Sequence, residues 1–161
     1  WLPRAVADGA DLEARSELLV ASHLAGLGQA SGTGVGLVHA LGHAIGSRGG
    51  LAHGLALAVV LPEVLAFYAG PPGVRDQETA LIGRAMGATG PPDPTAGPAA
   101  TIDALRSFLD GIGLRRRLRD LGFDALTLDI VAGDTVADPA ILNAPRIASV
   151  AEARAILEAV L

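Results

Sequence analysis

Apolar residues recur every three or four positions along most of this chain, the interval that gathers side chains on one face of a helix. Asp11 predicts a helix cap with Glu13 in the first turn, and Ala14, Leu18, Ala21 and Ala25 then share a face until the helix ends near Gly28. A second helix is predicted after Ser31-Gly32-Thr33-Gly34, with Val38, Leu41 and Ile45 on one side and a stop at Gly46 before Ser47-Arg48-Gly49-Gly50. A third starts near His53 and aligns Leu57, Leu61 and Val64; Pro62 lies inside it, removes one backbone donor and predicts a kink. A fourth covers about Val74 to Gly87, and the Gly- and Pro-rich stretch from Gly87 to Pro98 predicts a loop.

Further on, Ile102, Leu105 and Leu109 mark a fifth helix, and Leu114, Leu118 and Leu121 a short sixth that turns Arg115, Arg116, Arg117 and Arg119 outward and ends at Gly122. Leu126, Leu128 and Ile130 alternate with Thr127 and Asp129 as a strand would, but a lone strand has nothing to pair with, so the stretch is assigned to a helix. Asp138-Pro139 signals a helix start, and Ser149-Val150-Ala151-Glu152 has the spacing of a capping box ahead of Ala153, Ile156, Leu157 and Val160. The predicted fold is therefore all-α, a multi-helix domain covering residues 1–161.

Composition narrows the function. Aromatics make up only 3% of a chain that is half apolar, so small side chains must let helix backbones approach closely. The net charge is −5 and the chain has no broad basic field, which argues against a nucleic-acid partner. The most apolar stretch, Leu51 to Ala69, is interrupted by His53, Pro62 and Glu63 and falls far short of the roughly 20 residues of a membrane span. Trp1-Leu2-Pro3-Arg4 lacks the regions of a signal peptide and reads as a cut edge, with cytoplasm as the default location. Without cysteine, a metal must be held by His and carboxylates.

All four histidines lie between positions 23 and 53, three of them in GLVHALGHAIGSRGGLAHG. His39 and His43, four apart, share a helix face, and a turn through Gly46 to Gly50 lets the third helix return and bring His53 to that face. His39-Ala40-Leu41-Gly42-His43 has the spacing of a zincin motif but lacks its Glu, so a metalloprotease is excluded. Gly32, Gly34 and Gly36 follow no strand and miss the register of a dinucleotide fingerprint. Spacing alone leaves two readings of the three histidines open, metal ligands or hydrogen-bonded core residues. His23 has no motif partner.

GLVHALGHAIG, followed at the same register by HGLALAVVLPEVLAFY, resembles the metal-site signature of the iron-containing alcohol dehydrogenases. The opening LPRAVADGADLEARSELLVAS and the closing ADPAILNAPR before a terminal helix are also similar to that family. The resemblance implies that His39 and His53 are metal ligands for Fe(II) or Zn(II), and that His43 lies beside metal and nicotinamide without being a ligand. It implies hydride exchange between NAD(P)H and a small alcohol or aldehyde. It also implies that two further ligands and the nucleotide-binding domain belong to a segment upstream of Trp1. Glu63 and Leu57 stand where relatives often carry His and Asn, a difference expected to bear on the substrate pocket. A maleylacetate reductase domain and a non-catalytic helical module are the alternatives, and association into a homo-oligomer is left open.

Overall fold

A computed structural model describes residues 1–70, 76–87 and 97–161; the loop predicted between Gly87 and Pro98 lies for the most part outside them. Among the described residues the chain forms eight α-helices and no strand, the all-α class that the sequence predicts. It divides into two compact units, residues 1–35 and 36–161.

The first unit holds α1 (Leu2–Ala7) and α2 (Leu12–Gly28), the latter running on into a π-type turn at Gln29–Thr33. Asp11 caps α2, its Oδ1 accepting from the Ala14 N–H at 3.0 Å. Arg4 binds α1 to that cap, donating to Asp11 at 2.8 Å and Glu13 at 2.8 Å while its guanidinium lies over the Trp1 ring. The six-residue α1 was missed by periodicity because it is too short to show any; these ionic contacts and Pro3 in its first turn define it. Of the predicted inward face of α2 only Ala14 is buried, and Leu19 and Leu24 are 74% and 61% exposed.

The second unit is built around α3 (Leu37–Gly49), which packs on α4 (His53–Ala69) and on α7 (Ala125–Ala137). The terminal α8 (Val150–Ala159) covers α7 and α4, and α6 (Pro98–Gly111) packs on α4 with α5 (Asp76–Ala85) against it. Leu37, Leu41 and Ile45 of α3, Val60 and Val64 of α4, Leu128 and Val131 of α7, and Leu157 of α8 are all fully buried. Each contributes about 1.5–3 kcal/mol of transfer free energy, so this interior fixes the helices around α3. A second cluster joins Ala58 of α4 to Leu105 and Leu109 of α6.

The approach of α3 and α4 depends on glycine. A Cβ on Gly42 would overlap Leu57 Cδ2, so the leucine lies directly over the α3 backbone. Gly46 lies opposite Ala56, and the Tyr68 hydroxyl accepts from the Leu37 N–H. Later residues of α4 thus meet earlier residues of α3, and the two helices are antiparallel. The helix α3 ends at Gly49 rather than Gly46, because Gly50 at φ +60° supplies the left-handed cap and the N–H groups of Gly50 and Leu51 both reach the Gly46 carbonyl. The helix α4 runs continuously through the buried Pro62.

Three other expectations meet tertiary structure. Instead of a sixth helix over Leu114–Leu121, residues 114–117 have no regular structure and a 3-10 turn spans Leu118–Leu121. The Leu118 N–H is bound by the Val160 carbonyl at 2.8 Å, and glycines with positive φ, Gly113 and Gly122, turn the chain at either end. Residues 126–130 are helical, as assigned: Leu128, Val131, Ala132 and Thr135 face inward, while Leu126 and Ile130 of the apparent alternation are exposed. Asp138-Pro139 does start a helix, a 3-10 one confined to Pro139–Asn143.

Two tests follow. Gly42→Ala gains about 1 kcal/mol of helix propensity but must displace Leu57, an overpacking that costs about 1–3 kcal/mol. Denaturant unfolding is expected to show a net loss that Leu57→Ala relieves; a Gly42→Ala that gains stability would mean that the helices are not in contact there. The second concerns the capping box of α8, where the Ser149 N–H and hydroxyl, and then Arg146, hold the Glu152 carboxyl below its usual range. A depressed folded-state value contributes stability that is present above the ordinary Glu range and lost as pH falls through the folded value. Glu152→Gln is therefore expected to flatten the acid limb of a pH–stability profile, and an unchanged limb would remove the cap from the account.

Candidate metal centre

The site begins with the geometry of the two antiparallel helices. His39 and His43 stand one turn apart near the start of α3, and His53 is the first residue of α4, reached after the short connection at residues 50–52. The three rings converge, with centroid separations of 5.4 Å for His39 and His53, 5.6 Å for His43 and His53, and 5.8 Å for His39 and His43. His43 and His53 are stacked at an interplanar angle of 25°, and His39 is tilted to one and edge-on to the other. The convergence read from spacing is thus present in space, and His23 lies exposed on α2.

Electrostatics distinguishes the three. Burial pushes the His39 imidazole below its usual value, the neighbouring His53 and His43 rings push the same way, and Asp138 acts against them. The ring is therefore neutral near pH 7, the form that can donate a lone pair to a metal. His43 has a partner that the sequence did not disclose: its Nδ1 donates to Asp138 Oδ2 at 2.8 Å across 95 residues of sequence. Asp138 Oδ1 accepts from the Ala140 N–H at 2.7 Å, capping the 3-10 turn. Burial alone would raise the Asp138 carboxyl, but the Ala140 N–H and the His43 ring outweigh it and hold the group below the usual carboxylate range. One turn back on α7, Asp134 accepts from Arg48 of α3, so two polar contacts fix these helices against each other.

His39 and His53 suit a borderline cation such as Fe(II) or Zn(II), for which neutral imidazole is a favoured donor. Among the described residues no group of three or more His, Asp or Glu side chains is arranged to hold a metal ion by itself.

The two departures from the family pattern end up in different places. Leu57 lies over Gly42, within the histidine-bearing helix pair. Glu63 is ten residues beyond His53, about 15 Å along the helix axis. Its oxygens accept from Arg106 Nη2 of α6 at 2.9 Å each, and it borders a cleft of about 260 Å³ with Arg115, Arg116 and Arg117. Glu63 therefore joins α4 to α6. No described helix is long and apolar enough to cross a membrane.

Comparison with known proteins agrees with this architecture along the whole chain. Residues 1–161 match the family described as Fe-containing alcohol dehydrogenase family, C-terminal. The probable alcohol dehydrogenase EutG of Escherichia coli (strain K12) is 34% identical over 148 residues, which cover 92% of this chain and 35% of that protein. The NAD-dependent methanol dehydrogenase of Bacillus methanolicus is 30% identical over 159 residues, 98% of this chain and 41% of that protein. Among solved structures, a 1,3-propanediol oxidoreductase superposes with a TM-score of 0.87 at 30% identity, covering 99% of this chain and 41% of its own. The archaeal halo-thermophilic Red Sea brine pool alcohol dehydrogenase ADH/D1 superposes with a TM-score of 0.89 at 26% identity, covering 100% and 41%. The chain thus spans between 35% and 41% of the length of these relatives. With a helical fold shared from end to end and a family match over every residue, the chain belongs to the iron-containing alcohol dehydrogenase family, as its C-terminal domain.

Proposed function

We propose that this chain is the metal-binding part of an NAD(P)-dependent alcohol dehydrogenase, in which His39 and His53 hold Fe(II) or Zn(II) and His43 handles the substrate proton. The observation that carries the reading is the convergence of three imidazoles from α3 and α4 within 5.4–5.8 Å. When bound, the metal supplies a Lewis acid for the oxygen of a small alcohol or aldehyde, and the nicotinamide supplies or accepts the hydride. The residues of this chain do the rest: two rings offer lone pairs from an antiparallel helix pair, and a third, held by a carboxylate, is left to exchange a proton.

The relatives are named as alcohol dehydrogenases, and one of them as NAD-dependent, which supports this reading over a maleylacetate reductase domain. The remaining ligands and the nucleotide site belong to the part of such an enzyme that these residues do not include. A cytoplasmic location goes with the same reading.

Metal analysis and turnover of short alcohols by the complete protein test the assignment. His39→Ala and His53→Ala are each expected to empty the metal site. His43→Ala is expected to retain the metal while kcat falls by about a hundredfold or more, the contribution of a general acid or base. Metal retained in His39→Ala and His53→Ala would refute the ligand assignment, and a His43→Ala protein without metal would make that residue a ligand. A complete protein that neither binds metal nor reduces NAD(P)⁺ with an alcohol would leave the non-catalytic module as the reading.

A further inference from the structure

The bond between His43 and Asp138 fixes more than the position of a ring. An ionised carboxylate can only accept, so the proton between Asp138 Oδ2 and His43 Nδ1 belongs to the imidazole. In the neutral ring, which carries a single proton, Nε2 is then bare, an acceptor on the side of the ring away from Asp138. The carboxylate has no freedom to relax this arrangement. Its other oxygen is occupied by the Ala140 N–H, Pro139 restricts the backbone that follows, and the side chain is only 20% exposed. The Arg48 pair with Asp134, one turn earlier on α7, holds the same helix against α3.

We propose that Asp138 is a positioning residue that keeps His43 in the Nδ1–H tautomer, so that Nε2 can take the proton of an alcohol hydroxyl. This rests on the alcohol dehydrogenase reading given above. In the oxidative direction the substrate O–H bond breaks and its proton passes to His43 Nε2. The carbinol C–H bond breaks with its electron pair passing as hydride to the oxidised nicotinamide, and the C=O bond forms. The alcohol loses two electrons, the nicotinamide gains them, and the imidazolium keeps its Nδ1–H on Asp138. In the opposite tautomer Nε2 would already carry hydrogen and could not take the proton.

The same geometry makes Asp138→Asn informative. The Ala140 N–H must be accepted by the amide oxygen, which turns the NH₂ group toward His43 Nδ1. A donor there requires a bare Nδ1 and drives the ring proton to Nε2. The substitution keeps the turn capped and inverts the tautomer.

The test uses the complete protein labelled with ¹⁵N-histidine, free of metal and loaded with Zn(II), with the His43 resonances assigned from their loss in His43→Gln. The wild type is expected to show a protonated Nδ1 and a bare Nε2, and Asp138→Asn the reverse. In the same variant kcat for alcohol oxidation is expected to fall by about a hundredfold or more, with KM and metal content near wild type. In Asp138→Ala, where water can replace the carboxylate and neither tautomer is imposed, kcat is expected to fall between the two. A wild-type ring protonated on Nε2 would overturn the proposal even if the variants fail to fold, and so would a folded Asp138→Asn with wild-type kcat. Failure of the broader reading is separate: an inert wild-type protein whose tautomer still inverts in Asp138→Asn would overturn the proton step and leave the hydrogen bond itself in place.

Discussion

The close contact of α3 with α4 at Gly42 is the constraint on which the rest of the second unit depends. With Leu57 lying over a residue that has no side chain, the two axes come near enough for His53 to reach rings that project from the neighbouring helix. Any larger residue at that point would have to displace the Leu57 side chain from the α3 backbone. The scarcity of aromatics and the abundance of alanine and glycine serve the same purpose, since a core of small residues packs backbones at short distance.

Polar contacts then set directions that apolar packing leaves open. Every cationic side chain is an arginine or histidine, and several arginines are spent on joining elements: Arg106 to Glu63 between α6 and α4, Arg48 to Asp134 between α3 and α7, Arg154 to Asp129 between α8 and α7. Arg146 does three things at once, donating to the Phe67 carbonyl and to Glu152 while its guanidinium lies 3.9 Å from the Phe67 ring centroid. The exposed pairs among them contribute about 0–1 kcal/mol each, so their importance lies in orientation more than in stability. The planar fork of arginine suits it to that work.

The parts of this structure that could be read from sequence are the ones whose determinants are local. The helix positions of His39, His43 and His53 followed from a four-residue spacing and a glycine-rich turn, and the caps at Asp11 and Ser149 from short motifs. Where a distant partner decides, reading along the chain failed. The Arg115–Arg117 stretch leaves the predicted helix where the Leu118 backbone binds the C-terminal residues. Asp138 was visible only as a residue before proline. Its local role as a cap is real, and nothing in its immediate sequence marks the second oxygen as the partner of a histidine on another helix.

The spacing along the chain of the two halves of the site has a consequence for the order in which they can form. His39 and His53 are 14 residues apart, whereas the contact between His43 and Asp138 spans 95. The chain entropy lost in closing the longer span exceeds that of the shorter by about 2 kcal/mol. The histidine pair from one helical hairpin is therefore cheap to assemble early, as soon as α3 and α4 meet. The tautomer of His43 is settled only when the segment carrying α7 arrives. Before α7 docks, His39 and His53 can already lie together while the His43 ring carries its proton on either nitrogen.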